Sequence, residues 1–172
     1  MQLRTSSVSL GLAILLSACY SEFPLDQTPQ AELDAAILGT WRCLPPDPKP
    51  DTDPLTFVVT TARPRVYSIR LEAKNEQPLL LEAHFSVING HPVLNVRNLD
   101  PKGPSKPWLF ARYSFLLPNV LRAQIVQEDL LKSVEQTPAG YRRALGSPAA
   151  QSSGYEDYAF CIRASANGSA WN

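Results

Sequence analysis

Three cysteines, two histidines and sixteen carboxylates are the side chains of this 172-residue chain that could do chemistry. His84 and His91 are too few for a metal, which takes three or four converging ligands. No serine sits in a G-x-S-x-G elbow. Glycine is scarce, at 8 residues, and forms no phosphate-cradling loop. Glu72, Glu82, Asp129 and Glu156 are scattered over segments that read as a solvated face, not as a general acid and its base. The expectation is therefore no metal, no cofactor and no catalytic centre. The remaining chemistry belongs to Cys19, Cys43 and Cys161.

Cys19 follows the most apolar run in the chain. Arg4 supplies a short positive start, Val8 to Leu16 is mostly apolar, and Ser17-Ala18 are small, so residues 1–18 read as an export signal. The apolar run is shorter than the roughly 20 residues of a spanning helix. Leu16-Ser17-Ala18-Cys19 resembles the bacterial lipobox. The resemblance implies cleavage before Cys19 and lipidation, palmitate-type acyl chains included, of its sulfur and new amino group. Several acyl chains on one residue give stable membrane anchoring. A plain secretory signal with an incidental cysteine is the alternative. In lipoproteins of diderm bacteria an Asp beside the lipidated Cys commonly retains the protein at the inner membrane. Residue 20 is Tyr, so the resemblance implies the outer membrane, facing the periplasm. Without Arg4 the mature chain carries 15 basic and 16 acidic residues, a balance of −1. That gives no pull toward nucleic acid.

The elements that must position these residues are mostly strands. Residues 19–28 read as a lipidated tether and 166–172 as a disordered tail, leaving one domain over 29–165. Thr28-Pro29 can start a short helix over 29–38, ended by Gly39. The prolines of 45–54 make a loop. Strands are expected over 55–62, 65–73, 78–88, 91–99, 108–117, 119–127 and 155–165. Asn89-Gly90 predicts a tight hairpin in which Phe85 faces Leu94, Ala83 faces Val96 and His84 faces Asn95. Helical spacing covers 128–136 and 138–146, and 147–154 reads as a loop. About eight sequential antiparallel strands, with short helices only before the first and last, fit a closed up-and-down barrel. A β-sandwich is the competing architecture.

"GTWRC" and "FCIRA" carry the closure. Facing residues of an antiparallel pair share one index sum, and Trp41 with Arg163 gives the same sum, 204, as Cys43 with Cys161. One register thus sets the Trp against the Arg and the two sulfurs together. With Cys19 as the anchor, the other two cysteines are left for a disulfide in an oxidising compartment; two free thiols are the alternative. Gly39, Trp41 and Arg163, behind a short helix, resemble the signature of the lipocalin-like (calycin) barrels. The resemblance implies that these residues are structural and that the Arg packs on the Trp at the closed end. It supplies no ligand site that maps onto the proline-rich loop.

A barrel of about eight strands is filled by its side chains or holds one small ligand. Tyr67, Phe85, Tyr113 and Phe115 are candidate cavity liners, with plain core filling as the other reading. Trp108 and Arg112 share the opposite face and could form a partner patch. Two functions follow. One is a lipid-anchored, non-enzymatic barrel binding a small hydrophobic ligand or lipid, which calls for a cavity of a few hundred Å³. The other is a filled barrel that binds a protein partner in envelope assembly or maintenance.

Overall fold

The computed structural model describes residues 21–103, 105 and 107–164. The expected export signal over 1–18, Cys19 and the expected tail over 166–172 lie outside the described residues. Eight strands form a closed antiparallel barrel: β1 (Gly39–Leu44), β2 (Leu55–Arg63), β3 (Val66–Glu72), β4 (Leu79–Ile88), β5 (His91–Asn98), β6 (Trp108–Leu117), β7 (Val120–Val126) and β8 (Tyr155–Arg163). Each pairs with the next, and β8 returns to β1. Alternation sorts the side chains. Trp41, Val59, Ile69, Leu81, Ala83, Leu94, Val96, Leu109 and Leu121 are buried in the barrel, while Arg42 and Arg70 between them are exposed.

The hairpin and seam registers are those the sequence predicts. Asn89 and Gly90 both take positive φ, 51° and 80°, as a two-residue hairpin turn requires. Phe85 faces Leu94, Ala83 faces Val96 and His84 faces Asn95. At the seam Trp41 faces Arg163 and Cys43 faces Cys161. The two sulfurs are bonded, joining residues 118 apart.

The outer wall of β4, β5 and β6 is not solvated as simple alternation expects. His84, Ser86, Val93, Asn95 and Phe110 are all buried there. Two coverings account for this. One is the segment between β7 and β8, whose neck is closed by the Gln127 amide donating to the Gly154 carbonyl at 2.9 Å. It holds α1 (Glu128–Lys132), α2 (Pro138–Leu145) and α3 (Pro148–Ser153). Tyr141 of α2 packs on Phe110 with ring centroids 5.6 Å apart. The loop expected over 147–154 is thus a helix. Ser147 caps it by accepting from the Ala150 amide at 3.1 Å, and Pro148 stands at its first turn.

The other covering is the chain before β1. Residues 21–28, which the sequence reads as a tether, lie along the barrel as a strap. Ser21 pairs with Trp108 in both directions, at 3.2 and 3.1 Å. Leu25 is buried and its amide donates to Asn95 Oδ1 at 2.7 Å. The Gln30 amide donates to the Phe85 carbonyl at 2.9 Å, on the edge of β4 that β3 leaves free. The expected helix over 29–38 shrinks to one 3-10 turn, Ala35–Ile37, capped by Asp34. Backbone groups that a helix would use internally are bonded to the barrel instead, so tertiary contacts override local propensity.

Candidate functional site

At the end of the barrel where β1 starts and β8 finishes, the Gly-Trp-Arg set explains itself physically. Gly39 has φ +125°, and a Cβ there would stand 2.9 Å from Arg163 Nη1. Only glycine fits that backbone and that approach. Arg163 Nη1 donates to the Leu38 carbonyl at 2.7 Å, and Nη2 donates to the Ala36 carbonyl. The guanidinium lies 4.2 Å from the Trp41 ring centre, a cation–π contact of about 1–2 kcal/mol. Trp41 Nε1 donates to the Ile37 carbonyl at 2.7 Å. Trp41 and Arg163 thus clamp the last turn of chain before the barrel.

Next to this clamp, the four candidate liners form an aromatic layer. Trp41 meets Phe115 at 6.0 Å, Phe115 meets Tyr113 at 5.9 Å, Tyr113 meets Phe85 at 6.1 Å and Phe85 meets Tyr67 at 6.0 Å. Asp34 lies over the layer: its amide donates to the Tyr67 hydroxyl at 2.7 Å, and its carboxylate accepts from the Tyr113 hydroxyl at 3.1 Å. Burial pushes both phenols up. For Tyr113, the neighbouring Tyr67 and Asp34 push the same way. These tyrosines act as hydrogen-bonding groups and not as bases.

Below the layer the lumen is not filled. A cavity of about 110 Å³ remains, bordered by Val59, Leu81, Val96, Ala111 and Ile125 among other apolar side chains. Of the four candidate liners only Tyr113 borders it; Tyr67, Phe85 and Phe115 do not. They face inward as alternation requires, but their rings stack on one another and on Trp41. The cavity is smaller than the few hundred Å³ expected of a ligand carrier. An apolar cavity of about 150 Å³ stays dry and takes up benzene, so this one suits a ligand of that order or smaller.

Tyr158 also borders the cavity. Between β7 and β8 the register shifts: Ala123 faces Ala159, but Gln124 faces Asp157. Tyr158 is the extra residue, and a bulge re-aims the side chain it carries. The Tyr158 hydroxyl is buried and has no hydrogen-bond partner among the described residues. Burial pushes its phenol up. Strict alternation would set Tyr158 on the outer face, so no sequence signal marks it.

The outer wall carries two polar groups of contacts. Arg112 lies 4.0 Å from the Tyr155 ring centre and donates to Gln124, which donates to Asp157, and Asp157 also pairs with Arg122. Arg112 therefore forms no patch with Trp108. Trp108 is half-buried, with His84 edge-on at 5.7 Å and Arg97 over its ring. Under the strap, Asp26 pairs with Arg142, and its carbonyl accepts from His84 Nε2 at 2.9 Å, which fixes the proton on that nitrogen. Asn95 ties the strap to the wall, accepting from Leu25 and donating to Ser86 Oγ at 2.9 Å. Among the described residues no three His, Cys, Asp or Glu side chains converge as a metal site. No family model matches the chain, and searches of curated proteins and of solved structures found no match.

Proposed function

We propose that the chain is a lipid-anchored, lipocalin-like envelope protein, non-enzymatic, whose barrel takes up a small apolar ligand. The observation that carries the reading is the apolar cavity of about 110 Å³ left in a barrel whose strap-covered end is otherwise packed. A buried apolar space costs stability through lost packing, and an apolar guest returns that packing. The seam disulfide fits an oxidising compartment such as the periplasm. The lipobox-like Leu16-Ser17-Ala18-Cys19 supports anchoring through Cys19, with the outer membrane as the site.

Native mass spectrometry of the Cys19→Ser domain, exported and then incubated with a panel of benzene-sized apolar compounds, tests the ligand. A discrete added mass that disappears when Ala111→Leu fills the cavity is the expected result. A clean unliganded mass after incubation would exclude the carrier role. One observation favours the second reading, an envelope protein partner: Leu116 and Leu117 stand exposed at the β6–β7 turn. Crosslinking from that turn to a single envelope protein, with no bound ligand, is what that reading expects.

A further inference from the structure

We infer that the loop-ringed end of the barrel, at the starts of β4 and β6 and the end of β5, is a docking surface for a lipid bilayer. The inference rests on the anchoring through Cys19 proposed above. It starts from the strap. Ser21 is buried and bonded through its backbone to Trp108, the first residue of β6. Cys19 is two residues away, so extended chain lets its Cα reach no more than roughly 7 Å from that point. Acyl chains on Cys19 would therefore enter the bilayer beside the start of β6. A barrel on a long free tether could present any face to the membrane; this one cannot.

The side chains around that point suit the occupant. Trp108 pairs with Arg97 on β5, and two residues beyond Arg97 the Leu99 amide donates to the Leu80 carbonyl at 3.0 Å. Leu80 is 51% exposed and Leu99 39%. Phe23, two residues along the strap from Ser21, is 42% exposed. Among the described residues charges of both signs are interspersed on this end, Lys74, Arg97 and Lys102 beside Glu22, Glu76 and Asp100, so neither sign forms a patch. Contact with lipid therefore depends on apolar burial and not on anionic headgroups. Exposed Leu116 and Leu117 mark the opposite end, which the strap leaves far from Cys19.

The test uses the full lipidated chain in phosphatidylcholine vesicles, with an environment-sensitive dye on Leu99→Cys or, as the control, on Leu116→Cys. Cys43 and Cys161 are bonded and buried, so each variant offers one free thiol. Intact mass first reports the acyl chains on Cys19. With them present, the dye at 99 should shift to the blue and be quenched by brominated lipid. The dye at 116 should show neither, and raising salt should change nothing. Equal emission at both sites, or quenching at 116 alone, overturns the docking and leaves the anchoring intact. A mass without acyl chains overturns the anchoring itself, and the docking with it.

Discussion

Replacing Cys43 and Cys161 together by alanine should remove about a third to all of the domain's stability, and the size of the loss can be worked from the seam. The bond joins residues 118 apart, and closing a loop of that size in the unfolded chain is worth about 4.9 kcal/mol at 25 °C. Both cysteines are wholly buried, so two lost sulfurs leave a void costing on the order of 1 kcal/mol. The sum, about 5–6 kcal/mol, compares with a total of about 5–15 for a typical domain. Urea unfolding followed through tryptophan fluorescence measures the difference. The urea dependence should steepen as well, because an unfolded chain freed of its cross-link exposes more surface. Should the double variant be unfolded in buffer, a series in trimethylamine oxide recovers the transition. A loss below about 2 kcal/mol with an unchanged slope would falsify the loop-entropy reasoning. It would mean that the unfolded chain already keeps its two ends together.

Gly39→Ala should cost about 1–3 kcal/mol, since it puts a Cβ 2.9 Å from Arg163 Nη1 on a backbone at φ +125°; a melting curve within error of the parent would contradict this. Tyr158→Phe should stabilise the unliganded barrel by about 1 kcal/mol by removing a buried hydroxyl without a partner, read by the same urea titration. Acid should loosen the strap. Burial raises the Asp26 carboxyl, but Arg142, Ser86 and His84 together hold it below its ordinary value; its contribution is lost as pH falls through that lowered value. Burial pushes His84 below about 6.5, so on acidification the unfolded chain takes up the proton first and stability falls from there downward. Both groups make stability rise with pH in the acid range. The protection factors of the Leu25 and Gln30 amides, corrected for the slower intrinsic exchange in acid, should be lower at pH 4.5 than at pH 7.5 through His84 and lower again below the ordinary Asp range through Asp26; equal protection would count against the strap as described.

Much of the barrel was legible because period-two patterns and one index sum are local arithmetic. Asn89-Gly90 set a register, and the pairs Trp41–Arg163 and Cys43–Cys161 set the closure. What stayed hidden depends on three-dimensional fit. Alternation says that Phe85 and Phe115 face inward but not at which height the lumen is full. The bulge at Tyr158 breaks alternation without a glycine or proline to announce it. The strap is bound through backbone groups, one leucine and the Asp26–Arg142 ion pair, too little for any periodicity to reveal. The helix over Pro148–Ser153 could have been read: Ser147-Pro148 repeats the cap that Thr137-Pro138 gives α2.

The strap also decides where mechanical load goes. Tension applied on the N-terminal side enters the fold at the Ser21–Trp108 pair, on β6, and not at β1. It then meets the Leu25 and Asp26 contacts one after another, each pulled away from the outer wall. The clamp of Arg163 on Leu38 and the bonded seam lie beyond them in the path. Peeling residues 21–38 would release roughly 60 Å of extended chain. The strap thus stores a fixed length of line: under low tension the N-terminal side stays against β6, and under high tension it is let out by a set distance, with the seam still shut.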